Sequence, residues 1–270
     1  MFTPTENISI LLPTINESEN LKILIPQLVT VLEELNIHNY EIIVIDDGST
    51  DNTDKLIKKF NNENNLISIL NRKTKPSLPD SIFDGIEKSK SKYVLWLDAD
   101  GSMPAATVKK LLKKLNYNSD AVIIGSRFTD EGGFKGIEEV GKTTLFQSLN
   151  NVRKSNDSIM ATLLSLILNK LLSFLLSTNI KDITSGFIVG KKEYFSKDVF
   201  DKGNYGDYFI YLIDSLYKKN IEMIELGYIC ETRIYGESKT GSGIKVLFKT
   251  GLPYIKAVIT CRINRYGNKR

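Results

Sequence analysis

Short apolar segments alternate with segments of helical periodicity through the first half of the chain. The apolar runs are ISILLP (8–13), EIIVID (41–46), LISIL (66–70), YVLWLD (93–98) and DAVIIG (120–125). Between them, apolar residues at helical spacing predict helices over 18–35, 53–60, 80–89 and 104–115, the first capped by Ser18. Strands that are apolar throughout are typical of a mostly parallel sheet with helices on both faces. The pattern predicts a Rossmann-like α/β fold.

The regular alternation ends after Gly125. Residues 128–157 are polar and contain glycine, which predicts a loop or lid. Residues 159–177 form a strongly apolar segment whose polar members fall on one narrow stripe of a helix: Thr162, Ser165, Asn169, Ser173 and Ser177. This helix either packs on the sheet or lays its wide apolar face on a membrane interface; it is too short and too polar for a span. A strand at 186–190, a helix at 207–219 and a strand at 221–229 complete the body.

Composition excludes several classes of protein. The chain has 270 residues, 41% of them hydrophobic and 25% charged, which excludes a disordered or fibrous protein. Cys230, Cys261 and the single histidine, His38, are too few for a disulfide framework, a cysteine-based zinc site or a histidine-dependent triad. Since the N-terminus lacks the layout of a signal peptide, we expect a cytoplasmic protein, peripheral on the cytosolic face of a membrane.

The net charge of +4 conceals an uneven distribution. Residues 238–270 carry eight Lys and Arg and no acidic residue, whereas the first 237 residues carry 28 basic against 32 acidic side chains. We therefore divide the chain into a body, 1–237, and a basic amphipathic tail, 238–270, in which Pro253 should kink or split any helix. The tail either packs against the body or attaches to anionic lipid or a membrane partner. Seven arginines and few tail aromatics do not favour nucleic-acid binding.

The candidate chemistry follows the strands. Ligands of open α/β sheets bind beyond the carboxyl ends of the strands, and polar residues gather there at 13–17, 46–51, 98–100 and 125–127. Asp98 and Asp100 can face one cation if the backbone turns between them. Such oxygen ligands suit Mg²⁺ or Mn²⁺ bridging the phosphates of a nucleotide diphosphate. The alternative is a solvated acidic turn.

Six motifs in order give the chain a family resemblance: LLPTINESENL, VIDDGSTDNT, WLDADGSMP, IGSRF, DITSGF and IYGESKTGSG. They resemble the family 2 glycosyltransferases of the GT-A fold, and within these the dolichol-phosphate mannosyltransferase-like group. The resemblance implies that Asp98 contacts the nucleotide, that Asp98 and Asp100 hold the metal, that Arg127 faces the phosphates and that Lys239 closes over them. It also implies a pocket for the base and ribose of the donor, lined by Pro13, Asn16, Glu17, Asp46 and Asp47.

The implied reaction moves a mannose or glucose-like sugar, with inversion, from a GDP- or UDP-sugar to a polyprenyl or dolichyl phosphate. A lipid phosphate is already ionised near neutral pH and attacks without a base, whereas a hydroxyl acceptor, the alternative, requires a carboxylate. Arg127, Arg153 and Ser165 are candidates for the acceptor-phosphate site. A membrane surface, and a membrane-embedded partner subunit, are the expected partners.

The chain departs from the group at three places. Ser77, Leu78 and Pro79 replace a Gly-Leu-Gly, Ile188 replaces an Arg after TSGF, and Ala161 replaces an Arg of the acceptor-phosphate site. Arg153 or Lys154 is the candidate substitute for that last arginine.

One motif favours a different class of protein. Residues 136–143 match the P-loop pattern of NTPases, but no strand precedes the first glycine, and Glu138 and Glu139 would place two carboxylates in a phosphate cradle. A P-loop NTPase is therefore a distant alternative.

Overall fold

The computed structural model describes residues 7–134, 156–233, 235 and 244–267, and describes the side chains of the two long late helices from residues 166 and 251 onward. The strands are β1 (Ile8–Thr14), β2 (Tyr40–Asp46), β3 (Ile67–Asn71), β4 (Tyr93–Trp96), β5 (Val122–Ser126), β6 (Gly133–Phe134), β7 (Ile188–Lys191), β8 (Met223–Gly227) and β9 (Ile229–Cys230). The helices are α1 (Ser18–Glu34), α2 (Thr53–Glu63), α3 (Leu78–Lys88), α4 (Ala105–Tyr117), α5 (Asn156–Leu176), α6 (Lys197–Phe200), α7 (Tyr208–Lys218) and α8 (Ile244–Gly267).

Seven strands form one mostly parallel sheet in the order β3-β2-β1-β4-β7-β5-β8. Only β7 runs antiparallel to its neighbours, β4 and β5. The carboxyl ends of β2, β1, β4 and β5 therefore meet at one edge of the sheet. A two-residue pairing of β6 with β9 forms a second, small sheet. The predicted strand at 221–229 is thus divided between the two sheets.

Helices cover both faces of the sheet, as the apolar strands predict. On one face, α1 and α4 pack over the strands around Leu21, Leu28 and Leu111. On the other face, α3, α5, α7 and α8 bury residues that include Ile82 and Leu172. The α/β fold predicted from the apolar strands is confirmed.

The N-terminal end of α1 differs from the prediction. Glu17 is the capping residue and Ser18 is the first helical residue, so the prediction of Ser18 as N-cap is wrong. The backbone N–H of Ser18 donates instead to Asp51 Oδ2, at 3.0 Å. A side chain from the loop after β2 therefore satisfies a donor that the sequence assigned to a local cap.

The C-terminal segment forms one helix, α8. It continues through Pro253, so this proline does not split the helix, and the other expectation, a kink, stays a prediction. A proline removes a single helical hydrogen bond, and packing of the flanking turns offsets that loss. Ala257, Val258 and Cys261 are buried in the core beside α5 and α7. The boundary between residues 237 and 238 stays a prediction.

Among the described residues, no helix is both long enough and apolar enough to cross a membrane. The P-loop-like residues 136–143 lie outside the described residues, as does most of the predicted lid.

Candidate active site

A pocket of about 240 Å³ lies at the carboxyl edge of the sheet. Its walls come from the ends of β1, β2 and β4, from the start of α3, from the turn before α7 and from the segment after β9. The lining residues are Pro13, Thr14, Ile15, Glu17, Asp47, Pro76, Ser77, Leu78, Ser81, Asp98, Ala99, Asp100, Asn204, Tyr205 and Arg233. The structure thus brings together Pro13, Glu17, Asp47, Asp98 and Asp100, which the sequence selected for this edge.

Asp98 and Asp100 share the floor of this pocket. Asp100 is buried, and its Oδ1 accepts a hydrogen bond from the backbone N–H of Ser102, at 2.9 Å. The chain turns at Gly101, whose φ of 81° favours glycine. Burial, followed by the charge of Asp100, raises the pKa of Asp98 to about 7. The charge of Asp100 opposes ionisation of Asp98, and a bound cation would favour the form in which both are ionised.

The carboxylate pair fits a divalent cation. Within the described ranges, no group of three or more Asp, Glu, His or Cys side chains gathers as candidate metal ligands. Asp98 and Asp100 both line the pocket. Mg²⁺ is commonly bound by one or two carboxylates together with substrate phosphates and waters. A pair at the floor of an open pocket matches that arrangement.

Arg233, in the segment after β9, supplies positive charge to the pocket. Its Nη2 lies 2.9 Å from Asp100 Oδ2, and its Nη1 lies 4.0 Å from Glu17 Oε1. Asn20 of α1 fixes the adjoining chain by exchanging hydrogen bonds with the backbone of Tyr235, and it also donates to Glu17 Oε2 at 2.6 Å. The guanidinium of Arg233 is therefore held beside Asp100 and Glu17, and Asn20 fixes the chain that follows it.

The end of β2 forms a buried ion pair with Arg72, the first residue after β3. Arg72 contacts Asp47, and its Nε donates to Asp84 Oδ2 at 2.6 Å. Burial would lower the pKa of the Arg72 guanidinium, but its carboxylate partners raise it overall. Asp47 Oδ2 also accepts from Ser77 N at 2.6 Å and Ser81 Oγ at 2.9 Å, which fixes the start of α3.

The replacement of a Gly-Leu-Gly by Ser77, Leu78 and Pro79 has a structural explanation. Ser77 is extended, with φ −159°, and its hydroxyl caps α3 by accepting from Asp80 N at 3.4 Å. Pro79 lies in the first turn of the helix, where a missing N–H is tolerated. These residues require no glycine conformation, and Ser77 and Leu78 line the pocket.

Two predicted pocket residues lie outside the lining. Asn16, with φ 56°, accepts from Thr50 N at 2.7 Å and donates its own N–H to Ser49 Oγ at 2.8 Å. Asp46 accepts from Ser49 N at 3.1 Å. Asn16 connects the segment after β1 to the loop after β2, and Asp46 fixes that same loop from the end of β2.

Arg127 also lies outside the lining. Its Nε and Nη2 donate to the two carboxylate oxygens of Asp182 at 2.9 and 2.8 Å, and its ring neighbours are Phe128 and Phe134. Burial opposes the charge of Arg127, but Asp182 raises the pKa of the guanidinium well above its usual range. Asn169 of α5 receives hydrogen bonds from Ile183 N and Thr184 Oγ1 beside this pair. Arg127 thus connects β5 to the segment before β7.

The other predicted site residues are not placed. Lys239, Arg153 and Lys154 lie outside the described residues, and the side chain of Ser165 is not described.

Sequence reasoning missed Arg72, Asp182, Arg233 and Tyr205. Arg72 directly follows β3, so a search for polar residues at the ends of strands would have found it if β3 had been included. Arg233 lies six residues before Lys239, within the same motif-bearing segment. Tyr205 follows a short helix and has no comparable signal.

Fold and pocket together define an α/β protein with two carboxylates in a pocket at the carboxyl edge of a mostly parallel sheet. The model of the glycosyl transferase family 2 matches residues 9–199, so the chain belongs to that family and is a glycosyltransferase.

Curated relatives are similar at modest identity. An uncharacterized protein of Methanocaldococcus jannaschii is 28% identical over 221 residues, 80% of this chain and 84% of that protein. A dolichol-phosphate mannosyltransferase of Pyrococcus furiosus is 30% identical over 125 residues, 46% of this chain and 34% of that protein. A dolichyl-phosphate beta-glucosyltransferase of Trichomonas vaginalis is 29% identical over 144 residues, 50% of this chain and 43% of that protein.

A solved structure supports the GT-A fold. Glucosyl-3-phosphoglycerate synthase from Mycobacterium tuberculosis superposes with a TM-score of 0.61 at 14% identity, over 95% of this chain and 80% of that one.

Proposed function

We propose that the protein is a metal-dependent, inverting glycosyltransferase that moves a mannose or glucose-like residue from a nucleotide-diphosphate sugar to a polyprenyl phosphate. The observation that carries the proposal is the pairing of Asp98 and Asp100 in one pocket with Arg233 above them. The names of two relatives support the acceptor, since both refer to dolichol or dolichyl phosphate.

The donor occupies the pocket along the edge of the sheet. Its base and ribose lie against the β1 and β2 side, where Pro13, Asp47 and Ser77 form the wall. Its diphosphate lies over Asp98 and Asp100. Glucosyl-3-phosphoglycerate synthase has been solved with Mn²⁺ and UDP-glucose, which supports a divalent metal and a nucleotide sugar in this fold.

The residues around the diphosphate favour departure of the leaving group. Cleavage of the sugar–phosphate bond develops negative charge on the diphosphate, and a divalent cation held by Asp98 and Asp100 would stabilise it. Arg233 adds a second positive charge on the side of Glu17. The family resemblance assigns a third positive charge at the phosphates to Lys239, six residues further along. A single displacement by the acceptor inverts the anomeric centre.

The carboxylates of the pocket agree with an acceptor that is already ionised. Asp47 contacts Arg72, Asp100 contacts Arg233, and Glu17 accepts from Asn20. Each of these groups is engaged in binding another protein group, whereas a hydroxyl acceptor requires a carboxylate available to take its proton.

Exposed apolar side chains on α5 and α8 support a location at a membrane face. The two helices pack against each other. We define the apolar surface by its exposed residues: Ile167, Leu171, Phe174 and Leu175 of α5 with Leu252, Ile259 and Ile263 of α8. Lys170 and Lys256 are exposed on the same helices. Apolar side chains flanked by cations suit the surface of an anionic bilayer.

The metal-dependent step is tested with Asp100→Asn. This change removes one carboxylate charge at nearly constant volume and should reduce transfer about 100-fold while the protein stays folded. Asp198→Asn, on the surface in α6, is the matched control and should retain activity. Full activity of Asp100→Asn, or of the unaltered protein in excess chelator, would contradict the metal role.

The acceptor is tested by following the product. With labelled UDP-glucose or GDP-mannose, Mn²⁺ and polyprenyl phosphate in vesicles, label should enter the lipid extract. The competing function is transfer to a hydroxyl; it is favoured by the fold neighbour, which has been solved with phosphoglyceric acid. Label found only on a soluble acceptor would establish that alternative.

A further inference from the structure

One aromatic side chain of the pocket is exposed although its backbone is firmly held. Tyr205 lies in the turn that joins α6 to α7, and 51% of the residue is exposed at the pocket wall. An exposed aromatic ring that lines a polar pocket gains stability when a partner with an apolar face covers it.

The turn is built to present this ring. The buried carboxylate of Asp207 accepts hydrogen bonds from Asn204 N at 3.0 Å and from Tyr205 N at 2.8 Å. A Cβ at Gly206 would overlap the hydroxyl of Tyr254, which reaches the turn from α8. Asp207 therefore fixes the backbone of Tyr205 through a hydrogen bond, and Tyr254 packs against the next residue, Gly206.

Tyr205 lines the same pocket as Asp98 and Asp100. Burial, followed by the charge of Asp98, raises the pKa of its phenol, while the charge of Arg233 opposes that rise. The α7 helix that follows the turn packs under β4, where Trp96 Nε1 donates to Tyr208 Oη at 3.0 Å. In the order of the sheet, β1 and β2 lie on one side of β4, and β7 and β5 lie on the other.

The transferred sugar is the part of the donor that we expect the ring of Tyr205 to contact. In the proposed function the nucleoside fills the β1 and β2 side, and the diphosphate lies over Asp98 and Asp100. The group attached beyond the diphosphate is the sugar, whose C–H face is apolar and whose hydroxyls are polar. A tyrosine offers the same combination, an apolar ring with a polar tip.

We infer that Tyr205 contacts the transferred sugar and determines donor specificity, held in position by Asp207 and by the contact of Gly206 with Tyr254. The inference rests on the proposed function and extends it by naming a sugar-contacting residue.

The test compares two ligands that differ only in the sugar. Binding of UDP and UDP-glucose, and of GDP and GDP-mannose, is measured with Mn²⁺ and without acceptor. For the pair that binds, Tyr205→Ala should raise the Kd of the nucleotide sugar about tenfold and change that of the nucleoside diphosphate less than about twofold. Tyr205→Phe keeps the ring and should retain most of the affinity for the sugar.

Two further variants separate positioning from a general loss of structure. Tyr117→Ala removes an exposed tyrosine of α4, outside the pocket, and should leave both Kd values unchanged. Gly206→Ala leaves Tyr205 intact but displaces the turn, so it should also weaken nucleotide-sugar binding selectively. Adding Tyr254→Phe removes the atom nearest the new methyl group and should restore part of that affinity.

Each other outcome overturns the inference. An equal loss for both ligands in Tyr205→Ala would place the ring against the phosphates or the nucleoside. No change for either ligand, or a change only in the apparent KM of the acceptor, would remove Tyr205 from the sugar site. If neither nucleotide sugar binds the unaltered protein, the proposed function itself fails, and that result is distinct from the other two.

Discussion

Adjacent aspartates at the end of β2 have different surroundings. Asp46 accepts hydrogen bonds from Ser49 and shapes a loop, whereas Asp47 lines the pocket and contacts Arg72. Asp46 is the last residue of β2 and Asp47 lies in the bend that follows, so the two adjacent aspartates have different partners. The role of Arg233 also depends on the tertiary structure, because its guanidinium contacts Asp100, which is far from it in the sequence.

The contact between Arg233 and Asp100 predicts opposite effects on two ligands. The guanidinium and a metal ion compete for Asp100 Oδ2, so Arg233→Gln should tighten binding of Mn²⁺ alone by severalfold. The same variant should weaken binding of a nucleoside diphosphate with Mn²⁺, because a positive charge near the phosphates is lost. Calorimetric titration measures both.

The control for this prediction is Arg262→Gln, an arginine of α8 that contacts Ser177. It should leave both affinities unchanged. Weaker Mn²⁺ binding in Arg233→Gln would show that the guanidinium orders the carboxylates rather than competing for them.

Asp98 predicts a pH dependence of stability. Its pKa of about 7 lies above the usual range of an unfolded aspartate, so the folded state binds the proton more tightly. The stabilising effect is complete at low pH and disappears as the pH rises through about 7. In chelator, the unfolding temperature should fall as the pH rises from about 4 to about 7, and it should fall less for Asp98→Asn. A rise over the same interval would contradict the assignment.

At the scale of elements, α5 directs two members of its polar stripe inward. Asn169 and Ser173 are buried with Leu172 and Leu176, and Asn169 binds the segment before β7. Packing against the protein body is therefore one role of this helix. The expected alternative, contact of an apolar face with a membrane, concerns the other side, where Phe174 is 79% exposed.

The C-terminal helix α8 is joined to the body by Arg265. Its Nε donates to the buried Asp214 at 2.5 Å, and its Nη1 donates to the carbonyl of Leu176 at 2.8 Å. Arg265→Ala should lower the free energy of unfolding by about 2 kcal/mol, since Asp214 keeps Lys218 as a partner but loses its stronger one. Urea denaturation measures the change.

Lys256→Ala, which removes an exposed cation of the same helix, should change the unfolding free energy by less than about 0.5 kcal/mol. Equal effects of the two variants would show that α8 contributes little through Arg265.

At the scale of the whole molecule, the basic residues of 238–270 lie partly inside the protein and partly on its surface. Part of the positive charge of residues 238–270 remains inside the protein, because Arg265 pairs with Asp214. Lys256 is exposed beside the apolar surface. The acidic excess of the first 237 residues includes the carboxylates that line the pocket.

The apolar surface predicts vesicle binding. Phe174→Glu should reduce sedimentation with anionic vesicles about tenfold, because it removes a large apolar contact and adds a repelled charge. Tyr117→Glu, an exposed aromatic of α4, is the matched control and should bind as the unaltered protein does. Truncation is a poorer test, since α8 also contributes buried Ala257 and Cys261. Unchanged binding of Phe174→Glu would remove α5 from the interface.

The sequence by itself determined the α/β class, the order of its strands and helices, and the edge of the sheet where chemistry collects. These features are local or periodic: apolar strands, helical spacing and polar residues after strands depend on few distant contacts. For the same reason Asp98 and Asp100 could be selected, since their position after a buried strand is visible in the chain.

Only the tertiary structure decided which charges meet. Arg72 with Asp47, Arg127 with Asp182, and Arg233 with Asp100 join residues 25, 55 and more than 100 positions apart. Asp51, from the loop after β2, accepts the backbone N–H of Ser18 at the start of α1, and α8 continues through Pro253. Ion pairs and packing depend on distance in space, which the linear pattern does not contain, so the partners of the pocket residues became known only once the sheet was assembled.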